Sequence, residues 1–382
     1  MPDKSFAVSV EPKVLIWARE SIGMNLNDVA KEIKKITATT IGNWEKGEKE
    51  PTFSHLERLA SIYKRPVTAF LLPAPPKEPP FPTDFRTRPS DGQKPLNPKT
   101  YLVIRKARRL QYSAIELIRG LNEPIKNLSI KADLSDNPEI LAEKIRIQLE
   151  VKNFFRSASL TTEAALEEWI RILEKNGILV FQINISNNKE IRGFSLVDEK
   201  FPVVVLKRSD EPPAKIFTLF HEFAHVLLRK GGICDLEETE ASQSIERFSN
   251  HFAGAFLVPK NELLNHPVVK ANEKLKKWPE RILQDMARDF KVSKEVILRR
   301  LLILGLTTNE YYRSKHEEWK SKYKEPFRRG KKNEIKICIQ ERGKKYVSMV
   351  FGAYKQNKID NMSVADYLGV KLDKISKVEE AI

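Results

Sequence analysis

Cysteine is nearly absent from this chain of 382 residues, which has only Cys234 and Cys338, far apart in sequence. That excludes a disulfide framework and a cysteine-rich zinc cluster, and two buried or idle thiols are expected. Long apolar runs are lacking too. The longest, such as "LLILGL" after Arg300, fall far below the roughly 20 residues that a membrane-spanning helix needs. The opening segment "MPDKSFAVSVEPKVLIWARE" has neither an uninterrupted apolar stretch nor a small-residue cleavage site, so a cytoplasmic protein with no membrane partner is expected. No internal repeat is apparent. Histidine is sparse at six residues, yet half of them fall between His221 and His251.

What is present describes a globular protein, with 41% hydrophobic and 31% charged residues. The length exceeds one ordinary core and predicts two or three domains. The formal net charge of +16 points to a polyanionic partner or to well-solvated helix faces, and its location matters more than its sum. Basic residues crowd the C-terminal third, as in "YYRSKHEEWKSKYKEPFRRGKKNEIK", whereas the N-terminal segment is nearly balanced.

From Val14 to Leu72 the periodicity predicts short amphipathic helices broken by tight turns. Leu15, Ile16, Ala18 and Ile22 outline one helical face. Asn25 is placed to cap a second helix and Thr37 a third, "ATTIGNWEKG", which stops at Gly47. Pro51 opens the approach to a fourth, "FSHLERLASIY". This stretch resembles the XRE (Cro/C1-type) helix-turn-helix domain through Ala30, Ile41, Trp44, Glu45, Gly47, Pro51 and Thr52. The resemblance implies that Thr39, Thr40 and Asn43 face the DNA major groove while Ile41 and Trp44 pack inward. One position departs from the pattern: Leu26 stands where the family often has a glutamine that grips phosphate. A four-helix module that docks protein instead of DNA is the alternative.

The remaining chain divides by composition. Residues 74–100, "APPKEPPFPTDFRTRPSDGQKPLNPKT", are too rich in proline for helix or central strand and read as a linker. Residues 101–266 run through basic and amphipathic helices until the period changes near Gly177. There "ILVFQIN", "RGFSLVD" and "FPVVVLKR" predict a small antiparallel sheet. Helices follow to the end, with 267–310 containing a helix-turn-helix-like unit and 311–382 a basic helical region. Within that unit Phe290, Val292, Val296, Ile297 and Leu301 have core spacing, which favours a scaffold or docking role, while Arg299, Arg300 and the later "RRGKK" keep DNA in play. The expected fold is mainly α and multidomain, with residues 1–73 helical, a central α+β domain and a helical C-terminal region.

"FTLFHEFAHVLL", Phe217 to Leu228, carries His-Glu-x-x-His inside an apolar helix. Positions i and i+4 share a face, so His221 and His225 can offer ring nitrogens to one ion, and Glu222 sits beside them. Phe217, Leu219, Phe220, Phe223, Ala224, Val226 and Leu227 make the helix apolar nearly all round. It must therefore be buried, and buried imidazoles and carboxylates demand partners. Zinc satisfies them, and lowers the pKa of a water it holds to about 7. Glu222 is then placed to accept the proton of that water during attack on a peptide carbonyl and to pass it to the leaving amine. A catalytic zinc needs a third protein ligand. The acidic loop offers Asp235, Glu237, Glu238 and Glu240, but Glu246 on the following amphipathic helix is better placed, with Asn250 one turn on to orient it. His251, five residues after Glu246, points well around that helix and is the rival.

"AKIFTLFHEFAHVLL" followed by "IERFSNHFAGAFLVP" is similar to the ImmA/IrrE family of metallopeptidases. The matching positions are Phe217, Thr218, His221, Glu222, His225, Glu246, Ser249, Asn250, Phe252, Ala253 and Pro259. The resemblance implies a zincin-like domain, a gluzincin-type zinc site with Glu246 as third ligand, and a transcriptional repressor as the substrate. Manganese or iron can occupy the same two-histidine, one-carboxylate donor set. The expectation is thus a regulatory zinc endopeptidase joined to an XRE-type domain, acting on a helix-turn-helix repressor or antitoxin-like protein. The alternatives are a DNA-binding regulator whose metal site is structural, and a toxin–antitoxin or mobile-element component whose protease is latent.

Overall fold

In the computed structural model, the described residues are 6–78, 97–121, 130–151, 160–185, 191–197, 201–229, 240–322 and 333–382. Most of the proline-rich linker, the acidic loop at Asp235, Glu237 and Glu238, Cys234 and the "RRGKK" run lie outside them. The chain forms two compact units, one from the described residues up to Lys106 and one from those beginning at Ala107.

The first unit contains α1 (Pro12–Glu20), α2 (Leu26–Glu32), α3 (Ala38–Lys46) and α4 (Phe53–Tyr63). Each boundary has a local cause. Asn25 accepts from Asp28 N to start α2, Thr37 accepts from Thr40 N to start α3, and Gly47 closes α3 at a φ of 76°, where a Cβ would be strained. Thr52 and His55 form a reciprocal cap on α4. Leu15, Ile22, Val29, Ile41, Trp44, Leu56, Tyr63 and Phe70 make one core. Arg19 grips Glu45 through two hydrogen bonds of 2.7 and 2.9 Å, tying α1 to α3. Such a fork–fork pair fixes direction as well as distance.

The long basic helix α5 (Pro98–Leu121) leads into the second unit. There α6 (Pro138–Gln148) and α7 (Thr162–Lys175) precede β1 (Leu179–Ile183), β2 (Gly193–Leu196) and β3 (Val203–Lys207). The sheet differs from the antiparallel one that the sequence predicts. Its order is β1-β3-β2, with β1 parallel to β3 and only β2 antiparallel to β3. The physical reason is burial: β1 and β3 are covered on both faces, the situation in which strands are apolar throughout and pair in parallel.

Two central helices follow, α8 (Pro212–Leu228) and α9 (Glu240–Leu257), then the short α10 (Lys260–Leu264) and α11 (Pro267–Lys270). After them come α12 (Glu280–Phe290), α13 (Lys294–Ile303) and α14 (Asn309–Lys322). The chain ends in α15 (Glu334–Arg342), α16 (Lys344–Lys355), α17 (Asn361–Leu368) and α18 (Ile375–Glu379). Phe220 of α8 stacks on Phe256 of α9 at 4.3 Å between centroids, and Trp169 of α7 meets Phe220 edge-on at 4.9 Å. The same core continues through Leu283, Phe290, Val296, Ile297 and Leu301, so α12 and α13 share it with α8 and α9.

The turn at Lys291, with a φ of 57°, and the Ser293 cap join α12 to α13 as a helix-turn-helix-like pair. Arg300, however, is not available to DNA. Its guanidinium is buried, pairs with both oxygens of Glu139 at 2.5 and 2.9 Å, and donates from Nε to the Val258 carbonyl at 3.0 Å. The cause is its place on the inward face of α13, between Ile297 and Leu301, which are both fully buried. Arg299 instead donates to the Tyr312 hydroxyl at 3.1 Å.

Candidate metal centre

Helix α8 begins with Pro212 and Pro213, where missing N–H groups cost nothing, and ends at Arg229 in the left-handed region. Between them Ile216 and all residues from Thr218 to Leu228 are buried. An apolar helix of this kind has no solvated face, so its polar residues must meet each other or a neighbour. His221, Glu222 and His225 are 1%, 6% and 2% exposed.

The two imidazoles converge, with their Nε2 atoms 3.1 Å apart. Glu246, on the facing side of α9, brings Oε2 to 3.5 Å from His221 Nε2 and Oε1 to 3.4 Å from His225 Nε2. All three ligand atoms lie within 4.8 Å of one another. Ligand atoms about 2.0–2.1 Å from a tetrahedral zinc stand roughly 3.3 Å apart, so this donor set has the size of a zinc shell. Burial pushes the Glu246 carboxyl up, but hydrogen bonds and charge from His221 and His225 override it and hold the group well below the usual carboxylate range. An ionised carboxylate between two imidazoles is the donor set that a divalent cation takes.

Glu222 reaches the neighbouring strand. Its Oε2 accepts from the Ser195 hydroxyl of β2 at 3.1 Å. Asn250 is half-buried one turn beyond Glu246 on α9. His251 stands apart from the cluster: its Nε2 is 2.7 Å from Glu139 Oε1. Glu240 opens α9. Ser195 is the residue that sequence reasoning missed, because a serine in a strand has no periodic signature. A hint was its neighbour Gly193, the one small residue opening that strand.

Residues 173–302 match the model of the IrrE N-terminal-like domain of the M78 peptidase family. Residues 15–70 match that of a helix-turn-helix domain. The chain joins a helix-turn-helix domain to an M78 peptidase domain. No curated protein matches it. The M78 match runs from the end of α7 through α13, and so includes β2, both central helices and the α12–α13 pair. Its family supports a peptidase of metallo type.

In the helix-turn-helix domain, Ile41 and Trp44 are 2% and 3% exposed, inward as the family resemblance implies. Thr39 is exposed. The Thr40 hydroxyl is 2.9 Å from that of Thr37, inside the cap of α3. With its amide oriented to donate, Asn43 reaches the Thr39 carbonyl and the Glu48 carboxylate at 3.1 Å each. Of the three groove candidates, Thr39 is thus the exposed one without such a tie. Among the described residues no helix is long and apolar enough to cross a membrane.

Proposed function

We propose that this chain is a zinc-dependent, site-specific endopeptidase of regulatory type whose substrate is a helix-turn-helix repressor or antitoxin-like protein. The observation that carries the reading is the convergence of His221, His225 and Glu246 on one point, with Glu222 one residue along the same buried helix. His221, His225 and Glu246 would hold the metal. When bound, zinc supplies Lewis acidity that polarises a scissile carbonyl and eases the ionisation of water. Glu222 takes the proton of the attacking water and returns it to the departing amine, so one carboxylate serves as base and then as acid. The helix-turn-helix domain supplies targeting, to DNA or to the substrate itself. Manganese and iron are the other cations suited to these donors.

A site that only stabilises the fold has no use for a carboxylate beside its ligands, which favours catalysis over a structural metal. Co-expression with helix-turn-helix repressors encoded by neighbouring genes tests this, read by intact mass. The wild type should yield two fragments of one repressor. Glu222→Gln should retain stoichiometric metal and leave that repressor whole. Equal cleavage by both proteins would sink the mechanism, and cleavage by neither would favour a regulator with a latent site.

A further inference from the structure

Strand β2 carries two small residues that face α8. A Cβ at Gly193 would lie 2.5 Å from Thr218 Cγ2, 2.7 Å from the Val205 carbonyl oxygen and 3.6 Å from Glu222 Cγ. Glycine is therefore what lets the strand lie directly on the turn of α8 that bears Glu222. Two residues on, the strand's period of two returns to the same face. There Ser195, 5% exposed and paired in register with Val204, donates to Glu222 Oε2 at 3.1 Å.

We infer that Ser195 is a positioning residue for Glu222, its hydroxyl holding one carboxylate oxygen so that the other stays turned toward the reacting water. The inference rests on the reading of Glu222 as the base. A freely rotating carboxylate samples several χ angles, whereas one oxygen pinned from a rigid strand restricts the other to a narrow arc. The strand is itself held on its inner side by β3, so the pin does not depend on a mobile loop. The nearness granted by Gly193 and the donor supplied by Ser195 form one device. The first sets the distance between strand and helix, and the second uses it.

The test uses the full-length zinc-loaded protein and acetohydroxamate, a small zinc chelator that must give its proton to a neighbouring carboxylate. Calorimetry gives its affinity, and chelator competition gives that of zinc. Ser195→Ala should bind zinc as the wild type does but bind acetohydroxamate at least about threefold more weakly, since the carboxyl that receives its proton is released to the roughly three wells of its side-chain torsions. Ser195→Thr, which keeps the hydroxyl, should restore binding, whereas Ser195→Cys, similar in size but a weak donor, should not. Glu222→Gln should weaken acetohydroxamate at least as much, and adding Ser195→Ala to it should cost nothing more, since the two act as a unit. Unchanged acetohydroxamate affinity in Ser195→Ala beside a weakened Glu222→Gln would overturn the positioning role alone. Unchanged affinity in Glu222→Gln would overturn the base. Loss of zinc by Ser195→Ala, or a crystal structure of that variant with the Glu222 carboxylate unmoved, would also overturn the inference.

Discussion

The Glu139–Arg300 pair braces α9, the helix that presents Glu246, through His251 and the Val258 carbonyl just past its end. Arg300 is 1% exposed at its side chain and Glu139 25%, and the two share hydrogen bonds of 2.5 and 2.9 Å. His251 adds a third contact to the same carboxylate at 2.7 Å. Truncating Glu139 to alanine leaves a buried guanidinium hydrogen-bonded to the Val258 carbonyl through Nε, a loss of about 3–5 kcal/mol for a broken buried pair. The carboxyl's own titration leads to a similar figure. Burial pushes Glu139 up, but hydrogen bonds from His251 and Arg300 lower it from 4.5 to about 2. At about 1.4 kcal/mol per pH unit that corresponds to at most roughly 3 kcal/mol, less what water screens at a carboxylate 25% exposed.

Glu139→Ala should therefore cost about 3 kcal/mol near pH 7. Arg300→Met should cost less, since it preserves the aliphatic stem and leaves a carboxylate that water can still reach. Glu139→Leu combined with Arg300→Met should recover much of the loss, because an apolar pair of similar volume pays no desolvation. A depressed carboxylate stabilises the fold above its ordinary pKa and loses that contribution as pH falls through its folded value. The gap between wild type and Glu139→Ala should accordingly be full above pH 4.5 and close toward pH 2. Urea unfolding followed by near-ultraviolet circular dichroism, which reports the Trp169–Phe220–Phe256 cluster, measures both. A cost below about 1 kcal/mol that is the same at pH 3 and pH 7 would refute the reasoning.

Glu246→Ala should lower zinc affinity more than tenfold in chelator competition, since losing even a partner of a ligand costs about 10–100-fold, while His251→Ala should leave it unchanged; the opposite pattern would reassign the third ligand. Burial raises the Glu174 carboxyl to about 8, with Oε2 accepting from Lys345 N at the start of α16. A raised carboxyl stabilises below its ordinary pKa and loses that contribution as pH rises through its folded value. Wild-type stability should thus decline between pH 4.5 and about 8 more steeply than that of Glu174→Gln, and parallel profiles would count against it. In gel shifts of the full chain, Thr39→Ala should relax sequence preference and Asn43→Ala should change it little, because the Asn43 amide is already committed to Thr39 and Glu48; a larger effect at Asn43 would reverse that assignment.

Helix boundaries and the convergence of two histidines are local properties, and a single chain displays them. An N-cap needs a side chain within two or three residues of the N–H it satisfies, and a helix end a residue that tolerates positive φ, so Asn25, Thr37 and Gly47 could be read directly. Likewise His221 and His225 share a face because of the helical period, whatever surrounds them. Even the third member of the cluster, Glu246, could be reached by the same periodicity applied to the next helix. Tertiary structure decided what lies across space. The parallel pairing of β1 with β3, the burial of Arg300 against Glu139 and the meeting of Ser195 with Glu222 join residues 24, 161 and 27 positions apart. No propensity or period connects such residues. Their contacts arise when apolar faces are buried together, and the polar groups carried along must then find partners where the packing leaves them.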